Sequence, residues 1–180
     1  MRIRTFTVVG SVVAIAASIP LGMAFAAASG SSNSRSHNFQ SAGQGTSVSE
    51  SKPGCQFTAA GCTIKTTGYA NNGSLGNGKY TETITIDWAA NYSNGKGGYC
   101  APSSGPSVLT TSHGKIDIQT TGTVCEVAKS VTFGRHVFFG TYSVTGGTGR
   151  FAHASGTGSS YGGDNGFTHN AYVSFGTIKY

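Results

Sequence analysis

The sequence predicts an all-β protein, an eight-stranded antiparallel β-barrel, and three observations carry that prediction. Glycine occurs 28 times and charged residues make up only 10% of the chain. Segments rich in β-branched and aromatic residues alternate apolar and polar side chains with period two, and clusters of Gly, Asn and Ser separate them. Helix is disfavoured almost throughout, because glycines interrupt nearly every candidate for a 3.6-residue apolar repeat. A chain this poor in helix has nothing with which to cover open strand edges, so closure into a barrel is preferred and a β-sandwich is the alternative.

Taken in order, residues 1–26 read as a secretory signal peptide. Arg2 and Arg4 precede an apolar run from Val8 to Leu21, and Ala24-Phe25-Ala26 is a small-x-small cleavage pattern. Gly10, Ser11, Ser18 and Pro20 break that run short of the ~20 apolar residues of a spanning helix. Residues 27–53 are rich in Ser, Gly, Asn and Gln, with Phe39 and Val48 their only large apolar residues, and are expected to form a flexible lead-in. The barrel domain is expected over 54–180.

Within it, Gln56 to Ala70 supplies one or two strands. Tyr80 to Tyr92 is the clearest: Ile84, Ile86 and Trp88 share one parity while Thr81, Thr83, Thr85 and Asp87 share the other. A weaker strand runs from Ser107 to Thr111, and Lys115 to Val127 alternates through Ile116, Ile118 and Val124. Val137 to Thr145, Phe151 to Gly158 and Phe167 to Lys179 complete the set, divided by turns such as Asn71-Asn72-Gly73 and Ser93-Asn94-Gly95.

The densest signal lies in Tyr142 to Gly158, YSVTGGTGRFAHASGTG. Gly146, Gly147 and Gly149 supply backbone freedom for a tight connection, Phe151 and Ala154 resume the apolar pattern, and Gly156 and Gly158 suit a bulge or a barrel corner. Over Val137 to Gly158 the chain resembles the G-G-(S/T)-G-x-F-x-x-A-x-G turn of the allene oxide cyclase and dirigent barrel superfamily, with Gly146, Gly147, Gly149, Phe151, Ala154 and Gly156 on motif positions. Ser155 stands where plant dirigent proteins usually carry arginine, a departure from the dirigent pattern. The resemblance implies a barrel with a central cavity, often trimeric, on which a cyclase, guides of radical coupling and members without assigned chemistry are built.

Cys55, Cys62, Cys100 and Cys125 form an even set behind an export signal, which favours disulfides. Of three possible pairings, Cys55 with Cys62 and Cys100 with Cys125 close neighbouring loops or tie adjacent strands. The spacings lack the C-x-x-C of structural zinc sites, no histidine pair has helical metal spacing, and neither a metal nor a cofactor is called for. A G-x-S-x-G nucleophile elbow is missing, and the Gly146 to Gly149 turn lacks the Lys-Ser/Thr ending of a phosphate loop. Basic residues are scattered singly, which argues against nucleic-acid binding, and no later segment has the length of a membrane-spanning helix.

Parity selects the residues expected to face the barrel interior. Glu82 and Trp88 share a face with Ile84 and Ile86, Glu126 with Ile116, Ile118 and Val124, Tyr142 with Phe138 and Val144, and His169 with Phe167, Ala171, Val173 and Phe175. Glu82 and Glu126 lie near strand ends, where a carboxylate is able to reach water instead. A carboxyl buried there is harder to ionise and suits general acid chemistry. Three functions follow: a binding or structural module taking a small apolar ligand, a cyclase or isomerase using Glu82, Glu126 or His169, or a glycan-binding surface built on Tyr92, Tyr99 and Tyr161. A cavity of about 300 Å³ or more would favour a ligand over a filled structural core.

Overall fold

The computed structural model describes residues 35–51, 61–127, 135–165 and 169–180. The signal peptide expected over 1–26, Cys55 and Phe167 lie outside them. Nine strands follow one another: β1 (Ser36–Glu50), β2 (Cys62–Asn71), β3 (Asn77–Ile86), β4 (Tyr92–Ser93), β5 (Tyr99–Thr111), β6 (Gly114–Glu126), β7 (His136–Gly147), β8 (Ser155–Asp164) and β9 (His169–Lys179). Their spatial order is β3-β2-β1-β9-β8-β7-β6-β5-β4, and a further pairing of β3 with β5 closes the ring. The result is a closed, eight-stranded antiparallel barrel with the two-residue β4 added beside β5, and closure removes the sandwich alternative. Helical turns among the described residues are confined to three-residue 3₁₀ segments.

Ser36–Glu50 corrects the sequence reading, which placed it in a flexible lead-in. It is the longest strand and pairs with β2 on one side and β9 on the other. Its inward positions are Phe39, Ser41, Gly43 and Gly45, too small and polar to register as a buried face. The space is filled from elsewhere: a Cβ at Gly43 would lie within 3.0 Å of the Tyr172 ring, and one at Gly45 would collide with Tyr80.

The same device recurs around the barrel. Gly45 stands opposite Gly68, Gly122 opposite Gly140, and Gly158 opposite Gly176. The rings of Tyr80, Phe138 and Tyr142, respectively, come closer to each pair than any Cβ would tolerate. Paired glycines thus form flat backbone shelves on which aromatic rings lie, packing the interior with few branched side chains. Gly158 is therefore a shelf in a regular ladder: of the two expectations for it the bulge is not found, and the crowding that excludes a side chain is. The bulge falls at Thr145, where the β6–β7 register slips between Asp117 and Ile118.

Two further boundaries differ from expectation. Asp87 Oδ1 accepts the Ala89 amide at 3.2 Å, which ends β3 and starts a 3₁₀ turn over Trp88–Ala90, so Trp88 is buried from a turn and not from a strand. Phe151 likewise sits in a 3₁₀ turn after Gly149, whose φ of 60° is the left-handed conformation glycine supplies, and it is fully buried. Burying such a side chain contributes roughly 1.5–3 kcal/mol.

The interior packs as two clusters. One gathers Phe39, Leu75, Tyr80, Leu109, Tyr142, Phe151 and Ile178, and the other Cys62, Ile64, Ile86, Trp88, Ala101 and Val124. Cys100 faces Cys125 across β5 and β6, and the two form a disulfide as expected. Cys62 is also disulfide-bonded, while Cys55, its expected partner, lies outside the described residues.

Candidate functional site

A cavity of about 120 Å³ lies within the barrel and draws its walls from both clusters, including Phe39, Tyr80, Leu109 and Tyr142 from one and Ile64, Ile86 and Val124 from the other. It extends toward the barrel end where β7 begins and β8 finishes, at His136 and Asp164. Strand parity decides which polar groups reach it.

On β3 the even positions point inward, so Tyr80, Glu82 and Ile84 line the cavity together. Glu82 is half-buried and lines the cavity. Ser107 on β5, its cross-strand neighbour, donates its hydroxyl to Glu82 Oε1 at 3.2 Å. Loss of water raises the Glu82 pKa above the ordinary carboxylate value, and the Ser107 hydrogen bond offsets only part of that rise. Tyr80 is also harder to ionise, first through burial and then through the charge of Glu82. Its hydroxyl donates to Asn170 Oδ1 on β9 at 2.7 Å, tying the two walls together.

Tyr172 packs edge-on against Tyr80, with ring centroids 5.0 Å apart and planes at 85°. Burial raises its pKa, a Ser41 hydrogen bond opposes the rise, and Glu82 adds to it. Ser41 Oγ donates to Asn72 Oδ1 at 2.6 Å and lies 3.3 Å from the Tyr172 hydroxyl, which is left to act as donor. Asn72 in turn donates to the Gly76 carbonyl at 2.9 Å. It is almost completely buried. Tyr142 has its pKa pushed up to about 12 by burial, and its hydroxyl finds no hydrogen-bond partner among the described residues. At the cavity end, His136 Nδ1 and Asp164 Oδ1 are 2.9 Å apart.

Of the five interior positions expected from sequence, the cavity takes Glu82 and Tyr142. Trp88 is buried in the adjoining apolar cluster and does not line it. Glu126 is partly exposed at the end of β6, away from the cavity wall, and its backbone carbonyl accepts the Asn94 side-chain amide. His169 corrects the parity assigned to β9: it is exposed together with Ala171, Val173 and Phe175, whereas Asn170, Tyr172, Ser174 and Ile178 face inward. The more apolar side of β9 is its outer one. There Val173 and Phe175 form an exposed row with Tyr161 and Phe139 of the neighbouring strands. Sequence reasoning missed Tyr80, although the parity that selects Glu82 selects it too. It also missed Tyr172, Ser41, Ser107 and the His136–Asp164 pair, whose strands or faces were assigned differently.

Fold and cavity define the class: a closed antiparallel barrel whose apolar interior holds a buried carboxyl among tyrosines. No protein-family model matches the chain, and no curated protein matches it significantly.

Glu82 makes stability depend on pH in a defined direction. A carboxyl whose folded pKa is raised binds its proton more tightly in the folded state, so its contribution is full below the unfolded value near 4.5 and is lost as pH rises through the folded value. Urea denaturation of the parent and of Glu82→Gln at successive pH values from 4 upward measures this. The parent is expected to lose stability relative to the variant as pH rises, and parallel curves would show that the carboxyl is not desolvated.

Proposed function

We propose that the protein is an exported, disulfide-stabilised barrel that binds a small molecule in its interior. The observation that carries this reading is the placement of the Glu82 carboxyl beside Tyr80, Tyr142 and Tyr172 on the wall of an apolar cavity. A purely structural core gains nothing from such groups, because burying polar atoms without full hydrogen bonding costs stability. At about 120 Å³ the cavity is below the ~300 Å³ of a drug-sized pocket, and close to the ~150 Å³ apolar cavity that accepts benzene. The ligand is accordingly of single-ring size. Export is supported by the leader pattern of residues 1–26 and by the disulfides; no helix among the described residues is long and apolar enough to cross a membrane. Kinship with the allene oxide cyclase and dirigent barrels draws on the Gly146 to Gly156 turn and on eight-stranded closure.

Titration with single-ring compounds, followed through the ring resonances of Tyr80, Tyr142 and Tyr172, tests the binding reading. Saturable shifts confined to these inward tyrosines are expected; a diverse set that shifts none of them overturns it. A cyclase or isomerase reading draws on the same carboxyl, since burial favours its protonated form, the form that acts as a general acid. Turnover of a cyclisable epoxide, abolished in Glu82→Gln, would favour catalysis over binding alone.

A further inference from the structure

We infer that the ligand is a small organic ammonium ion, held between the Glu82 carboxylate and the tyrosine rings beside it. This deepens the binding reading and rests on it. The charges of the cavity wall point one way. Among the described residues, Glu82 and Asp164 both line it, and neither lysine nor arginine does. The one basic side chain among the described residues of the wall, His136, is engaged with Asp164. An anion entering such a space meets a carboxyl and no countercharge, and the cost of stripping its water is not returned. A neutral molecule fits sterically but leaves Glu82 in its unfavourable desolvated state.

An ammonium ion changes both terms. It offers Glu82 the opposite charge that a buried carboxylate otherwise lacks, and the pair forms in a space where screening by water is weak. The aromatic walls add to this, because ring faces carry negative potential and attract cations, most strongly those whose hydration is weak. Tyr80 and Tyr172 lie close enough to Glu82 for its charge to act on both, and Tyr142 and Phe39 line the same cavity with centroids 5.2 Å apart. The titratable groups facing the site are thus Glu82 of β3, Tyr80 of β3, Tyr172 of β9, Tyr142 of β7, and the His136–Asp164 pair at the cavity end.

Isobutylammonium and isobutanol are near-isosteres of five heavy atoms that differ in charge, and both fit a cavity of this size. Titration calorimetry of the oxidised protein at pH 8 is expected to show isobutylammonium binding at least tenfold tighter than isobutanol. Glu82→Gln is expected to abolish the preference while isobutanol keeps its affinity, which also reports that the variant is folded. If isobutanol binds as well as or better than isobutylammonium, the ammonium assignment is overturned and small-molecule binding stands. If neither binds, both readings fall, and undiminished ammonium binding by Glu82→Gln places the ion elsewhere and overturns the assignment.

Discussion

Replacing Gly68 with alanine is expected to destabilise the barrel by about 3 kcal/mol, a large fraction of what holds a domain of this size together. Gly68 stands on β2 between Gly45 of β1 and Tyr80 of β3. The new methyl would lie 2.6 Å from Gly45 Cα and 2.6 Å from Tyr80 Cε1, and would collide with the Gln44 carbonyl oxygen. Two of these three neighbours are backbone and cannot swing aside. Relief requires either that β1 and β2 part or that the Tyr80 ring leaves its shelf and gives up Asn170, a loss of roughly another 1 kcal/mol. Gly163→Ala is the control, since a methyl there approaches only the His136 carbonyl, at 3.2 Å. Urea denaturation of both variants checks the claim, and a Gly68→Ala midpoint within about 0.5 kcal/mol of the parent would contradict the close approach of ring and backbone.

The second large effect concerns the cross-link between β5 and β6. Cys100 and Cys125 are 25 residues apart in sequence and directly opposed in the ladder. Closing a loop of that length removes conformations from the unfolded chain, worth about 3 kcal/mol in the chain-entropy model. The double variant Cys100→Ala/Cys125→Ala is expected to lose that amount while retaining the β-rich circular dichroism of the parent, because the β5–β6 ladder runs on from Ala101–Val124 to Thr111–Gly114 without the bond. A loss below about 1 kcal/mol would mean that the unfolded chain is already constrained at this point.

The sequence pattern spoke clearly where inner and outer faces differ strongly in polarity. On β3 and β6, Ile84, Ile86, Ile116 and Ile118 declare the inward side, and the same parity correctly brings Glu82 inside. It was mute on β1, because Ser41, Gly43 and Gly45 owe their burial to rings contributed by β3 and β9, and a strand's own composition does not reveal its neighbours' side chains. β5 was read too short for a different reason: Pro102 and Pro106 lie inside it, and proline lacks the amide that a central strand ordinarily donates. On β9 the pattern misled, since Val173 and Phe175 outweigh Tyr172, Ser174 and Gly176 on any hydrophobicity scale, although Ile178 is the residue that fixes the buried face. Glu126 illustrates the remaining limit. Alternation carries it to the correct side of β6, but the wall of the cavity stops before the strand does.

The pairing of Ser36 with Lys179 makes the earliest described strand hydrogen-bond to the latest. No ribosome or export channel can deliver this barrel finished piece by piece: until β9 emerges, the free rims of β1 and of the growing sheet stay unzipped and open to pairing with other chains. Folding therefore ends with its longest-range contact, a topology that belongs to the slow, millisecond-to-second class. A holding chaperone would shield that seam from other chains while it is open.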